Sequence, residues 1–535
     1  MKFNRRQGLK GAAATVAITS LPLMQAEAQT RAETMRYVTG NNVNSLDPSV
    51  PGSTRESFGV SMNVYDRLVA FGRKQIEGGW AFDHSVIRPE LAERVVVSPD
   101  GMKFTFHLRR DATWHDGSPV TAEDVKWSLD RAVSARSLAP PQLSTGSLTS
   151  VDQFKIIDPH TVEVTVPRPD RLALSNLCVP YALMINSTLA KRHATVADPW
   201  ALEWLKDNTA AGGAYIVESH RSGTQTILRR NENWKGGALP NFRRVIVQTV
   251  PEVATRANLV ERGDADLSID LSASDIEAMQ GRGRVKVVSV PQTNGFTHIS
   301  FNTRMAPFDN VKVRQAIAAA LPYADIFQAA IFRRGRPLFG GTWTDTPASA
   351  DFPQPMPLAT DLDRAKRLLT EAGFPNGFST SFSFSAGLSA SAEPMAALVK
   401  EALEKIGIMV EIRKVPDAQF NTQQSEKTVP FFSDGATAWL PATDYFFRLY
   451  FTRDQRWNFS SLNDPEMNAL TAQAQFETDP AAYERACKRM IAILGEKVPQ
   501  VLLWQPNHEA VMARNVENYT YWFYRQVDFR DLRRS

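Results

Sequence analysis

Alternation of apolar and polar residues marks the first strands of this chain. Phe104, Phe106 and Leu108 alternate with Lys103, Thr105, His107 and Arg109, a period of two that predicts a half-buried strand. Val95 to Val97 precedes it across Ser98-Pro99-Asp100-Gly101, where proline presets φ and glycine accepts positive φ, so the two segments read as a hairpin. Val162, Val164 and Val166 alternate with Thr161, Glu163 and Thr165, and Ile408, Val410 and Ile412 repeat the pattern. Helices fall between. Thr121 and Asp124 make a capping-box start, with Val125, Leu129 and Ala132 on one face. Val313, Ala316, Ile317, Ala320 and Leu321 form an amphipathic stripe. Thr360 with Asp363 predicts another helix start, with Leu362, Ala365 and Leu369 facing inward and Gly373 as the stop. A longer helix runs through Met395, Leu398, Val399, Ala402, Leu403 and Ile406 to Gly407. Interleaved strands and helices predict an α/β or α+β chain with mixed sheets.

Size and composition narrow the class. At about 150 residues per domain, 535 residues correspond to roughly three or four domain equivalents. With 22% charged residues and a net charge of +4, a disordered or nucleic-acid-coating chain is disfavoured. No run of 18 apolar residues suits a membrane span. The first 28 residues read as an export signal: Lys2, Arg5, Arg6 and Lys10 form a basic head, Gly11 to Met24 is mildly apolar, and Ala26-Glu27-Ala28 is a small-x-small cleavage pattern. Arg5-Arg6 resembles a twin-arginine signal, although Gly8 stands where a bulky apolar residue is usual, and a general secretory signal is the alternative. Without that segment the balance is 57 basic to 56 acidic residues, so the charge says nothing for a nucleic-acid partner.

The sequence holds no complete catalytic constellation. Gly387-Leu388-Ser389-Ala390-Ser391 lacks the closing glycine of a nucleophile elbow. The eight histidines include no pair at helical ligand spacing, and neither a P-loop nor a complete G-x-G-x-x-G occurs. Cys178 and Cys487 cannot make a disulfide framework or a four-cysteine zinc site; they are one disulfide or two separate thiols. No metal or cofactor is implied. The most irregular segment, Arg333 to Leu358, holds five prolines, three glycines and the anchors Phe339 and Trp343; it is either a functional loop or a linker. Trp439, in the turn-rich stretch Gly435 to Pro441 before Asp444-Tyr445-Phe446-Phe447, is either core packing or the aromatic wall of a polar-ligand pocket.

A series of short motifs then carries a resemblance. Pro89-Glu90-Leu91-Ala92-Glu93, Ser98-Pro99-Asp100-Gly101, Phe104 to Arg109 and Trp114-His115-Asp116-Gly117-Ser118-Pro119-Val120-Thr121-Ala122-Glu123-Asp124-Val125 follow in order. Ser45-Leu46-Asp47-Pro48 and Tyr65-Asp66-Arg67-Leu68 precede them. Gly213-Ala214-Tyr215, Asn233-Trp234, Gly263-Asp264-Ala265-Asp266, Phe301-Asn302-Thr303, Pro307-Phe308 and Val313-Arg314-Gln315-Ala316-Ile317 come after. Together they resemble solute-binding protein family 5, the peptide/nickel/oligopeptide-binding proteins of ABC importers.

The resemblance implies an α/β, two-lobed periplasmic binding protein fold of the large type, with an extra subdomain in the first lobe. Its boundaries would be 1–28 for the export signal, 29–292 for the first lobe, 293–500 for the second and 501–535 for the return, with Trp504 near a crossover. Function would be capture of a small polar solute by hinge closure in the periplasm, as a monomer, and delivery to the transmembrane subunits of an ABC permease with its ATPases. Peptide, opine, oligosaccharide and metal chelate all remain open as ligands. The resemblance places Trp439, Asn41 and Asn42 at the cleft, with Thr342 and Trp343 as further candidates. Peptide-binding members carry an aspartate three residues after the matched tryptophan; here that residue is Ala442, and Asp444 is the substitute candidate. An exported hydrolase of peptides or glycans, or a permease-free sensor of the same fold, are the competing readings.

Overall fold

The computed structural model describes residues 31–338, 359–440, 442–453 and 455–535. The first strand, Thr34–Thr39, runs parallel to Arg244–Thr249 in the register Thr34 to Arg244, and parallel to the short strand Leu267–Ser268. Gln225–Arg230 and Tyr215–Arg221 extend that side antiparallel. Beyond Leu267–Ser268 lies the longest strand, Gln500–Ala513, whose later half pairs antiparallel with Val285–Pro291 from Val285 opposite Ala513 to Pro291 opposite Asn507. Its earlier half pairs with Gly295–Phe301, His298 lying opposite Leu502. From there the sheet continues through Phe431–Thr437 and Ser379–Ser385 to Met409–Val415.

Two strands therefore pass side by side from one lobe to the other: Gln500–Ala513, and the pair Val285–Pro291 and Gly295–Phe301 joined by residues 292–294. The passage is pinned by backbone and amide hydrogen bonds. Gln292 N donates to Pro506 O at 3.0 Å, and Asn294 Nδ2 donates to Ala438 O at 2.6 Å and Phe523 O at 2.8 Å. Each lobe has its own apolar core. One gathers Met35, Tyr37, Val245 and Phe529 with many others, and the other gathers Phe301, Ile317, Phe382 and Phe431. Phe301 and Phe431 stack at 5.1 Å, and Arg314 of helix Val311–Ala320 donates to Phe308 O, Lys497 O and Val498 O, tying three chain segments to the second core.

Three smaller sheets, of two, three and four strands, accompany the large one among the described residues. Ala92–Val97, Lys103–Leu108, Thr161–Thr165 and Phe154–Asp158 form one, against helix Ala122–Ser134. The hairpin follows from Gly101, whose φ of +68° and N–H to Ser98 O bond close the turn. The capping box of Thr121 and Asp124 is present. Two sequence expectations change. Asp361, not Thr360, caps helix Leu362–Glu371: its carboxylate accepts from Arg364 N at 2.8 Å, while the Thr360 hydroxyl donates to Leu321 O. Ile408 and Val410 are buried, but Ile412 is 39% exposed, on Met409–Val415, the edge strand of the sheet.

The family-like motifs meet in one buried ion network. Glu90, 1% exposed at its side chain, accepts from Arg67 Nη2 at 2.6 Å and Nε at 3.0 Å, and from Arg530 Nη1 at 2.9 Å. Arg530 also pairs with Asp528 at 2.6 Å, and Trp234 Nε1 donates to both oxygens of Asp66. Gly213 belongs to the same contact zone for a steric reason, since a Cβ there would lie 2.5 Å from Val64 O.

Candidate functional site

The first strand ends in a polar cluster. Asp270 accepts from Gly40 N at 2.5 Å and from Thr39 Oγ1 at 3.3 Å, and Glu56 accepts from Thr39 Oγ1 at 3.2 Å. Asn41 is exposed at this end and its Nδ2 lies 3.4 Å from Glu56 Oε1. Asn42 turns the other way: its Oδ1 accepts from Gly223 N at 2.8 Å, so it braces the hairpin of Tyr215–Arg221 and Gln225–Arg230. Helix Arg55–Val64 starts beside this cluster, its first turn capped by Thr54.

Across from that helix, strand Phe431–Thr437 of the second lobe delivers Trp439 into a ring of first-lobe aromatics. Trp439 meets Phe58 edge-on at 5.0 Å, Tyr181 at 5.5 Å and Phe523 at 6.4 Å. The guanidinium of Arg55 sits 5.5 Å from the same indole and donates to Thr437 Oγ1 at 3.0 Å. Further contacts widen the seam. Tyr445 OH donates to Gln142 at 2.8 Å, Arg448 to Thr145 O at 3.1 Å and Gln475 to Asp170 at 3.1 Å. The apolar faces of helices Thr443–Phe451, Pro465–Ala474 and Pro480–Lys497 belong to the first lobe's core cluster for this reason. The lobes are closed on one another.

Asp444 does not join Trp439. Its side chain is 2% exposed, accepts from Tyr483 OH at 2.7 Å and lies 3.8 Å from Arg171, whose guanidinium covers the Tyr483 ring. Ala442 is the N-cap of helix Thr443–Phe451, and the first helical turn carries Asp444 toward Tyr483. Thr342 and Trp343, with most of the Arg333 to Leu358 segment, lie outside the described residues; its start forms strand Gly335–Pro337 against Trp504 to Pro506.

The charged groups around Trp439 are unusual for how little they pair. Arg525, half-buried two residues after Phe523, makes no side-chain hydrogen bond or ion pair among the described residues, and its Nε is buried without a partner. Burial and the neighbouring charge of Arg525 pull Arg55 down to about 9, and burial lowers Arg525 as well. Burial also raises Glu56 and Asp434 above the usual carboxylate range. Asp434 accepts from Gln424 Nε2 at 2.8 Å and Gly435 N at 2.7 Å. His298 is pushed down to about 3 by burial and stands neutral.

The serines and cysteines singled out in the sequence hold structural positions. Ser389 and Ser391 hydroxyls donate to Ala386 O and Leu388 O at a helix start. Cys178 and Cys487 are free and buried, and burial raises their thiols to about 12 and about 11. Among the described residues, no group of three or more His, Cys, Asp or Glu is arranged to hold a metal, and no helix is long and apolar enough to cross a membrane.

Comparison with known proteins decides the class. Residues 86–458 match the model of the bacterial extracellular solute-binding proteins, family 5 (middle). The chain belongs to this family. It is 26% identical over 498 residues to a probable D,D-dipeptide-binding periplasmic protein of Escherichia coli (strain K12), covering 89% of each chain. Among solved structures, a dipeptide-binding protein of Pseudoalteromonas sp. SM9913 in complex with Met-Leu superposes with a TM-score of 0.79 at 21% identity, over 94% of this chain and 100% of that one. AgaA of A. tumefaciens R10, in complex with agropinic acid, superposes with a TM-score of 0.75 at 24% identity, over 94% and 99%. These relatives are solute-binding proteins, not enzymes, and as a family member this chain is a solute-binding protein that acts outside the cytoplasm. Of the sequence candidates, Trp439 lies in this aromatic ring and Asn41 at the end of the first strand; Phe58, Tyr181 and Arg55, which surround Trp439, were not among them. No local period relates positions 55, 58 and 181 to Trp439.

Proposed function

We propose that the cleft around Trp439 captures a small polar solute by hinge closure in the periplasm, as a monomer, and that the closed form is read by an ABC permease and its ATPases. The observation that carries this reading is the enclosure of Trp439, borne on the second lobe, by Phe58, Tyr181 and Phe523 of the first. Those contacts exist only when the lobes meet. A solute that touches both lobes selects that form, because its extra contacts are available nowhere else. Two strands passing side by side make the hinge, and residues 292–294 and 505–507 are where the backbone turns between lobes.

The same reading assigns 29–292 to the first lobe and 293–500 to the second. Pairing of residues 500–504 with Gly295–Phe301 favours setting the return at about Gln505 rather than 501. It assigns the four-stranded sheet of residues 92–165 to the extra subdomain, and residues 1–28 to a twin-arginine export signal. Relatives that bind a dipeptide and agropinic acid support a ligand of that size. Small-angle scattering on ligand-stripped and solute-saturated protein tests the proposal. A bound solute should shrink the radius of gyration and stabilise the fold by RT ln(1 + [L]/Kd), about 2.7 kcal/mol at a hundredfold excess over Kd. Chemical conversion of the bound solute at an enzyme-like rate, or binding without compaction, refutes it.

A further inference from the structure

A second cavity lies in the first lobe, away from Trp439. It measures about 520 Å³, and two chain segments supply most of its wall, one between residues 236 and 241 and the other between 528 and 533. Arg88, Glu90 and Trp234 complete it, and none of the residues around Trp439 lines it. Helix Arg55–Val64 separates the two places. Arg55 and Phe58, in its first turn, reach Trp439. Its far end accepts from Gly213 N and leads to Asp66, which accepts from the Trp234 indole in the cavity wall. Ten residues at 1.5 Å each put about 15 Å between those ends.

The ion pairs of this wall leave two arginines over. Glu90 is taken by Arg67 and Arg530, Asp528 by Arg530, and Asp531 lies 3.4 Å from Arg73. Arg88 and Arg533 line the same space and have no carboxylate within ion-pair distance among the described residues. Half-buried Arg88 uses its Nε, which donates to Phe71 O at 3.1 Å, and its two terminal nitrogens have no protein partner among those residues. The wall carboxylates act on Arg88 only at longer range, since their oxygens pair with Arg67, Arg530 and Arg73. The loop after Trp234 adds donors. Gly236, Gly237 and Ala238 lie outside helices and strands, and their N–H groups donate to nothing among the described residues. A Cβ on Gly236 would lie 2.6 Å from Trp234 Cζ2, so the loop backbone packs directly on the indole. Guanidinium forks and free backbone N–H groups around one space suit an oxyanion, which accepts from both. We propose that this cavity is a second binding site, for a small organic oxyanion such as a phosphate ester or a polycarboxylate, held by Arg88, Arg533 and the N–H groups of residues 236–238. Its volume is that of a small-molecule site, roughly 300–1,000 Å³. Both walls belong to the first lobe, so the bound anion ties the loop to the C-terminal segment and acts on the stability of that lobe, not on the hinge.

The test uses ligand-stripped mature protein and matched probes at constant ionic strength in chloride: glycerol 3-phosphate against glycerol, and citrate against trimethyl citrate. Calorimetry reads affinity, thermal unfolding reads stabilisation, and scattering reads the arrangement of the lobes. At least one acid is expected to bind and to raise the unfolding midpoint while its neutral partner does neither, with the radius of gyration unchanged. Which acid does so separates a phosphate from a carboxylate ligand. Arg533→Gln should weaken that binding about tenfold, the loss of a charge-assisted hydrogen bond, and Arg88→Gln by at least as much, with Arg88→Lys keeping part of it. The Arg533 side chain is exposed and has no protein partner among the described residues, so its variant decides the matter where Arg88→Gln fails to fold. If neither acid outbinds its neutral partner, the site is overturned, and equal binding by wild type and Arg533→Gln overturns it too. Binding that compacts the protein and survives both substitutions belongs to the cleft at Trp439 and likewise overturns the second site.

Discussion

Replacing Trp439 by alanine isolates the closing surface from the rest of the fold. In the closed form its indole makes edge-on pairs with Phe58 at 5.0 Å and Tyr181 at 5.5 Å and takes the Arg55 guanidinium on its face at 5.5 Å. Aromatic pairs of this geometry contribute about 0.5–1.5 kcal/mol each beyond area burial, and a cation over an indole about 0.5–1 kcal/mol. Phe523, at 6.4 Å, is counted as nothing. The total is roughly 1.5–4 kcal/mol, and because the partners are neighbours their contributions need not add. Each of these partners lies on the other lobe, so the loss falls on the closed form. At 1.4 kcal/mol per decade, closure weakens about tenfold to several-hundredfold, and apparent affinity falls by the same factor once closure is the scarce state.

Three measurements follow from one variant. Calorimetry with the solute released from purified protein should show the loss of affinity for Trp439→Ala, scattering should show a larger radius of gyration at subsaturating solute, and the ligand-free melting temperature should change little. A ligand-free melting temperature that drops as far as the solute-bound one would make Trp439 an ordinary core residue. Unchanged affinity would show that the lobes close without it.

Other perturbations probe the frame and the export segment. Glu90→Gln leaves Arg67 without an ion-pair partner among the described residues and Arg530 with Asp528 alone, a broken buried pair that should cost about 3–5 kcal/mol in denaturant unfolding; an unchanged midpoint would mean that the network is dispensable. Asp66 is raised to about 7 by burial and by the charge of Glu90. A carboxyl whose folded pKa exceeds its unfolded value binds its proton more tightly in the folded state, so its ionisation opposes folding above pH 4 and increasingly up to about 7. Asp66→Asn should therefore stabilise the protein at pH 8 by an order of 2–4 kcal/mol and lose that advantage as the pH falls toward 4; a constant difference across that range would refute the charge argument. Changing Arg5 and Arg6 together to lysine should leave precursor in the cytoplasm, and normal export of that double variant would remove the twin-arginine route.

The periodic elements were legible because their causes are local. Phe104 to Leu108, the Thr121 capping box and the glycine stops at Gly373 and Gly407 depend on residues a few positions apart. Thr360 was misassigned because Asp361, one residue on, competes for the same cap with a charged oxygen. Ile412 follows the strand's alternation, but alternation does not tell an edge strand from a central one. The motifs of the family resemblance are the clearest lesson. Arg67, Glu90, Asp66 and Trp234 converge on the buried network, so they mark what holds the first lobe together rather than what it binds. The residues that face Trp439 come from positions 55, 58, 181 and 523, and only tertiary structure brings them into one place.

Charge balance around Trp439 bears directly on which solutes are refused. A free peptide amine is an ammonium and needs a carboxylate when the cleft closes over it. Ala442 offers none, and Asp444 is engaged by Tyr483 and lies beside Arg171 under the helix. Among the described residues, Glu56, Asp270 and Asp434 already accept hydrogen bonds from the protein. Arg55 has no carboxylate within ion-pair distance among those residues and donates to the Thr437 hydroxyl instead. A cleft whose carboxylates are already engaged favours a ligand without a free ammonium over a zwitterion, since the zwitterion's amine is left without a partner. Blocking the amine of a short peptide should then improve its binding, the reverse of what a site built around an ammonium-binding aspartate would give. Tighter binding of Met-Leu than of N-acetyl-Met-Leu to the stripped protein would show that a carboxylate here, Asp434 or Glu56, serves the amine after all.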